Sequence, residues 1–187
     1  MAKVGLSDFY YATLTSDTVT AVAYATPVKV PGIVSADIKV ASDIATLFAD
    51  DGPYEVSNAL GEITVELELA DLPLEVAAAL LGHSVTAGVM ASKADDVSPY
   101  VAIGFIGKGS NSQKLPVWLL KGQFSEPDDT YKTKEDKVTF QTSKITGKFV
   151  ARVYDNKYKM KADNKATGFV ETTLTNWFEA ATINAGA

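Results

Sequence analysis

Residues 59–83 read ALGEITVELELADLPLEVAAALLGH, and a change of pattern inside them decides the fold class. From Ile63 to Leu69 apolar and polar residues alternate: Ile63, Val65, Leu67 and Leu69 fall on one face, and Thr64, Glu66 and Glu68 on the other. A period of two describes a strand with one buried face and one wet, acidic face. Asp71-Leu72-Pro73-Leu74-Glu75 then breaks the alternation. Pro73 fits the first turn of a helix, where its missing N–H costs nothing, and it pushes Leu72 out of helical geometry. Asp71 and Glu75 put negative charge at the end of the helix that favours it. Leu72, Val76 and Leu80 share a face at i, i+4 and i+8, and Gly82 can end the helix in the left-handed conformation. The spacing predicts a helix over about 72–81. One this short is unstable alone and has to dock on a sheet.

Working outward, the same strand signals recur. Phe9 to Thr13 and Thr20 to Val30 are rich in aromatic and β-branched residues, with Thr15-Ser16-Asp17 read as a hairpin turn between them. Ile33 to Val40 alternates again. Tyr100 to Ile106 and Leu115 to Phe124 read as two strands joined by the polar, glycine-rich Gly107 to Lys114. Val138 to Val153 is long enough for a bent strand or for two, with Gly147 at the bend. Asp155-Asn156-Lys157 makes a turn into Tyr158 to Ala162, and Thr175 to Glu179 suggests a short C-terminal helix whose small-residue tail should fray. The stretch 43–58, DIATLFADDGPYEVSN, shows no clean period and carries exposed apolar and aromatic residues around the turn signal Asp50-Asp51-Gly52-Pro53. It reads as a long interacting loop. The fold expected is an antiparallel β-sandwich or barrel with one packed helix, and a length of 187 residues predicts a single domain over 1–187.

Composition narrows the function. With 47% hydrophobic and 21% charged residues the chain reads as an ordinary globular protein, with no signal peptide and no membrane-spanning run. Cysteine is absent, which removes disulfides, thiolate metal sites and cysteine nucleophiles and fits folding in a reducing cytoplasm. The net charge of −6 is unevenly spread. Asp37 to Glu75 contains ten carboxylates and one cation, Lys39, whereas lysines prevail from Lys108 to Lys165. The two halves either neutralise each other within one fold or meet between copies and orient self-assembly. Tight DNA binding is disfavoured, since it rests on cations at phosphates.

Chemical motifs mostly fail on inspection. His83, the sole histidine, follows a helix-stopping glycine with no acid close in sequence, so it reads as structural rather than as a triad base or zinc ligand. Gly104 to Ser110 resembles a phosphate loop but has Ala102 five before Gly107 and Gly109 after Lys108. Asp155-Asn156-Lys157 and Asp163-Asn164-Lys165 lack calcium-loop spacing. Asp50/Asp51, Asp95/Asp96 and Asp128/Asp129 are adjacent pairs, and neighbours on an extended chain point apart, so they give no sign of a glycosidase site. Trp118, Trp177, Tyr54 and Tyr131 are the residues a sugar-stacking platform would use. The expectation is a protein without catalytic residues, cofactor or metal.

KVGLSDFYYA (3–12), TPVKVPG (26–32), the long segment 45–83, PYVAIGFIGK (99–108), VWLLKGQFSEPDDTYKTKEDKVTFQT (117–142) and NWFEAA (176–181) occur in an order that resembles the major tail proteins, or tail tube proteins, of long-tailed non-contractile bacteriophages. The resemblance covers nearly the whole chain, and 45–83 is its most specific part. It implies a β-sandwich with a helix against it, and hexameric rings that stack into a hollow tube. It also implies a virion location after synthesis in the host bacterial cytoplasm, and no enzymatic activity. The implied partners are further copies of the chain, the tape-measure protein and other tail proteins, and double-stranded DNA passing through the lumen without specific binding; no membrane is involved.

Two site expectations go with this reading. The 43–58 loop is the inter-subunit arm, with Asp43, Leu47, Phe48, Asp50, Asp51 and Tyr54 as its contact residues. Thr64, Glu66 and Glu68 line the lumen, where acidic groups would repel the duplex and let it slide. The competing readings are a monomeric carbohydrate-binding or adhesin-like β-sandwich, and a hydrolase with an unrecognised carboxylate pair.

Overall fold

The alternating face of Ile63 to Leu69 is the buried side of a long strand, with all four apolar residues at most 1% exposed. The computed structural model describes residues 3–128, 133 and 142–185. In chain order the elements are β1 (Lys3–Asp17), β2 (Val22–Tyr24), β3 (Val28–Val30), β4 (Ile33–Ala49), β5 (Gly52–Leu69), α1 (Leu74–Leu81), β6 (Ser84–Thr86), β7 (Val89–Ala91), β8 (Val101–Gly109), β9 (Lys114–Phe124), β10 (Ser143–Phe149), β11 (Lys159–Lys161), α2 (Glu171–Thr175) and α3 (Ala180–Ala185). The fold is mainly β and antiparallel, as expected. Its main sheet runs β2-β1-β8-β9-β10-β5-β4, with β3 added to β1 and β11 to β9, while β6 and β7 form a separate hairpin. Since β3 pairs with β1 and leads through Pro31-Gly32 into β4, the two ends of the sheet are drawn together, and β1 touches β4.

This curvature gives β8 and β9 two buried faces, which is why their sequences are nearly continuous apolar runs. On the inner side Phe9, Val65, Leu67, Ile103, Leu119, Ile145 and Phe149 form one core, closed by Val76, Leu80 and Leu81 of α1. On the outer side Ala102, Trp118 and Leu120 form a second core with Met160, Trp177 and Ile183 from the C-terminal segment. Trp118 lies across Gly104, its cross-strand partner; a β-carbon at Gly104 would sit 2.7 Å from the indole. Its Nε1 donates to the Trp177 carbonyl at 2.8 Å, and Phe178 meets its edge. Arg152, 1% exposed, holds Asp155 through two bonds of 2.7 Å and donates to the Ile183 carbonyl, fastening α3 to the body. That pairing holds the Asp155 carboxyl down at about 2.

Several expectations are corrected. The helix starts at Leu74 rather than 72, with Pro73 as an extended N-cap residue (ψ 143°) and Leu72 outside it; Gly82 ends it at φ 80°, as expected. The first hairpin turn comes after Asp17, not at 15–17, because the Asp17 carboxylate is engaged with Lys121 and with the Val153 and Tyr154 amides. Gly147 marks no bend. It sits within β10, where a β-carbon would lie 2.8 Å from the Phe124 ring. Thr175 ends α2, and residues 176–179 are a connection to α3 rather than a helix, since the Trp177 carbonyl is taken by Trp118. The expected fraying from Ala180 is overturned by α3, whose Ile183 is fully buried. Asp129, Tyr131 and 138–141, the start of the last predicted strand, lie outside the described residues.

Candidate functional site

The stretch read as a loop is a projecting β-hairpin, the outer parts of β4 and β5. Pairing continues from Ser42↔Leu60 through Ile44↔Asn58 and Thr46↔Val56 to Ala49↔Gly52. Asp50 and Asp51 form the turn, with φ of 49° and 60°. Positive φ at both central residues matches the right-handed twist of a two-residue hairpin, and aspartate tolerates it better than most residues. Every residue from Ala41 to Glu62 is exposed except Gly52, which is half-buried. The arm reaches roughly 30 Å beyond the body at about 3.4 Å per residue.

Residues paired across an antiparallel ladder share a face. One face of the arm therefore carries Ile44, Thr46 and Phe48 from β4, and Val56, Asn58 and Leu60 from β5, with Tyr54 at the bulge near the tip. The opposite face carries Asp43, Ala45, Leu47, Glu55 and Ser57. Of the six proposed contact residues, Phe48 and Tyr54 thus lie at the end of the apolar row, Asp43 and Leu47 behind it, and Asp50 and Asp51 at the tip. The row also carries Ile44 (68% exposed), Val56 (62%) and Leu60 (52%), which the sequence alone does not single out. Their signal was present as two alternating runs, but a bulge in β5 puts the runs out of phase along the sequence. The slip falls between Val40↔Ile63 and Ser42↔Leu60, leaving one extra residue on β5. A slip of one residue changes the face a strand presents. Here it brings the apolar residues of β5 onto the side that already continues the inward face of β4. Gly61 lies at the slip, and a β-carbon there would be 3.2 Å from Ala41.

Thr64, Glu66 and Glu68 do share an outward face, but the neighbouring strands change its charge. Glu68 lies between Ser35 and Lys144, Glu66 between Asp37 and Thr146, and Thr64 between Lys39 and Lys148. Lys39 reaches Glu66 at 2.6 Å, and Lys148 reaches Glu62 at 3.1 Å. The Thr142 hydroxyl leads the groups that lower the Glu68 pKa. The surface is therefore mixed, four carboxylates against three ammonium groups, rather than uniformly acidic.

His83 has the acidic neighbours that its local sequence lacks. Nδ1 lies 2.8 Å from Asp96 and Nε2 lies 2.9 Å from Glu126, with the side chain 6% exposed. Two carboxylate partners require two ring protons, so the imidazole is held charged, and Asp96 followed by Glu126 raises its pKa above the ordinary 6.5. With Nε2 on Glu126, the ring does not face a serine hydroxyl. Ser98 instead bonds the Phe124 carbonyl, tying the end of β9 to this junction. The sign of the pH dependence follows. The imidazolium's stabilising share is complete below its unfolded value near 6.5 and is lost as pH rises through the raised folded value. Asp96, lowered by the Lys93 amide and then by His83, contributes above 3.8 and loses its share as pH falls through its lowered value. In urea unfolding between about pH 5 and 9, the advantage of the native chain over His83→Gln should shrink toward the alkaline end. A constant difference would show that no proton is linked.

The other candidate groups do not converge. Trp118 and Trp177 are packed in the outer core and Tyr54 is on the arm, so they form no common platform. No group of three or more metal-ligating side chains occurs among the described residues, and no described helix is long and apolar enough to cross a membrane. No protein-family model matches the chain, and no curated protein matches it.

Proposed function

We propose that this chain is the subunit of a self-assembling tube, a phage tail-tube protein that acts by joining to copies of itself. The observation that carries the reading is the arm. Both cores are complete without it, and its row of Ile44, Phe48, Tyr54, Val56 and Leu60 has no covering layer of its own chain. A two-stranded hairpin alone is marginal in water. Burying five such side chains would give on the order of 10 kcal/mol gross per arm, enough to outweigh much of the cost of association. Sixfold rings, stacking, a tape-measure partner and a DNA-filled lumen come from the family resemblance, and a head-to-tail ring needs a projecting surface of this heterologous kind.

The mixed face around Glu66 and Glu68 suits a conduit in a different way from an acidic wall. Close to neutral, it offers phosphate no grip, while lysines paired to glutamates prevent strong repulsion. Glu66→Lys with Glu68→Lys makes the face strongly basic and should slow DNA release while tubes still assemble, read as ejection rate from reconstituted particles. Failure of rings to form would instead put those residues in an interface. Negative-stain microscopy of purified protein tests the whole reading. Sixfold rings or tubes support it, whereas dispersed particles that bind a glycan array would favour the carbohydrate-binding alternative.

A further inference from the structure

The acidic tip of the arm has a surface of opposite charge elsewhere on the same fold, at the start of β9. A groove of about 420 Å³ lies between the start of β9 and the segment after β11, walled by Leu115, Ala162, Ala166 and Phe169, with Lys161 on its rim. Exposed lysines gather at this end. Lys161 pairs with Val117 on the face that Leu115 shares, and Lys165 follows two positions after the lining residue Asp163; Lys108 and Lys114 face each other at the same end but on the opposite face of the sheet. Asp163, the acid that lines the groove, is engaged by Gln113 Nε2 at 2.6 Å and by the Lys165 amide at 2.9 Å. The arm is the reverse. No lysine or arginine occurs between Lys39 and Lys93, and Asp50, Asp51 and Glu55 surround Phe48 and Tyr54, which are 70% and 72% exposed.

We infer that the arm tip of one copy seats in the Leu115–Phe169 groove of another, with Phe48 and Tyr54 against its apolar wall and Asp50 and Asp51 against the lysine rim. The inference rests on the self-assembly reading and names the receiving site. Apolar contact supplies the affinity, while the opposed charges set orientation and encounter rate. The acidic and basic halves of the sequence thereby meet between copies.

The absence of native cysteines makes a direct test clean. Asp51→Cys combined with Thr167→Cys should yield a ladder of covalent multimers on mild oxidation, in the polymerised fraction only. Independently, Lys161→Glu with Lys165→Glu should raise the protein concentration needed for polymerisation about tenfold at low salt, and Asp51→Lys with Glu55→Lys should restore it. Circular dichroism checks that each variant is folded. Native protein that forms tubes but gives no ladder and no charge effect overturns the groove assignment alone. Native protein that never forms rings or tubes overturns the self-assembly reading and this inference with it.

Discussion

Replacing Leu47 to Glu55 with an Asn-Gly turn is expected to leave a folded, soluble subunit that no longer polymerises. The change keeps the hairpin and its register, because Thr46 and Val56, which already pair, are joined by a turn that suits two antiparallel strands. Its cost to the body should be small: from Ala41 to Glu62 the arm buries nothing in either core, and substitutions at such exposed positions usually fall within about 0.5 kcal/mol. The cost to assembly should be large. Phe48 and Tyr54 are the aromatic anchors of the apolar row, and truncating an aromatic of that kind commonly costs about 2 kcal/mol or more at each copy of an interface. Sedimentation should show a monomer at concentrations where the native chain pellets as tubes, with an unchanged unfolding midpoint. Serine at Ile44, Phe48 and Val56 should do the same without altering the turn. Intact tubes from either variant would remove the arm from the mechanism.

Trp118→Ala should give the largest loss of stability. The side chain is fully buried, fills the space over Gly104, meets the edge of Phe178 and bonds the Trp177 carbonyl. Truncation opens a cavity and leaves that carbonyl without its donor, a loss of about 3–5 kcal/mol. In a chain of this size that corresponds to a fall in unfolding temperature of roughly 6–20 °C. Near-ultraviolet circular dichroism should also show the C-terminal segment loosened, because Trp118 is a principal tie between α2–α3 and the sheet. A variant that melts within a few degrees of the native chain would mean the outer core is held mainly by Arg152 and Met160.

What could be read from the residue pattern, and what could not, divides by the range of the interactions involved. Ile63 to Gly82 was legible because strand alternation, the proline and the left-handed glycine are local devices, and the structure moved only the first turn of the helix. The two central strands were legible from their apolar runs. The arm's apolar and aromatic residues are legible in the sequence but its hairpin is not, because its regularity lies in cross-strand register, interrupted at Gly61 and Tyr54. The ends of α2 and α3 depend on where the Trp177 carbonyl is used, a choice made by an indole 59 positions away. His83 reads as structural from its neighbours, but the partners that hold it lie 13 and 43 positions downstream, beyond a local reading. The face around Glu66 looked acidic because one strand was read without the lysines beside it.

The slip at Gly61 reaches beyond the arm's own shape. With the interior closed independently, variation between positions 41 and 62 would, in the proposed assembly, be answerable to neighbouring molecules and hardly at all to folding. Two versions of this chain could share every residue of the body and still refuse to mix in one filament, separated only by the pattern on a projecting ribbon and the cradle that receives it. Partner choice in that assembly and thermal endurance would then be written in different stretches of the same polypeptide.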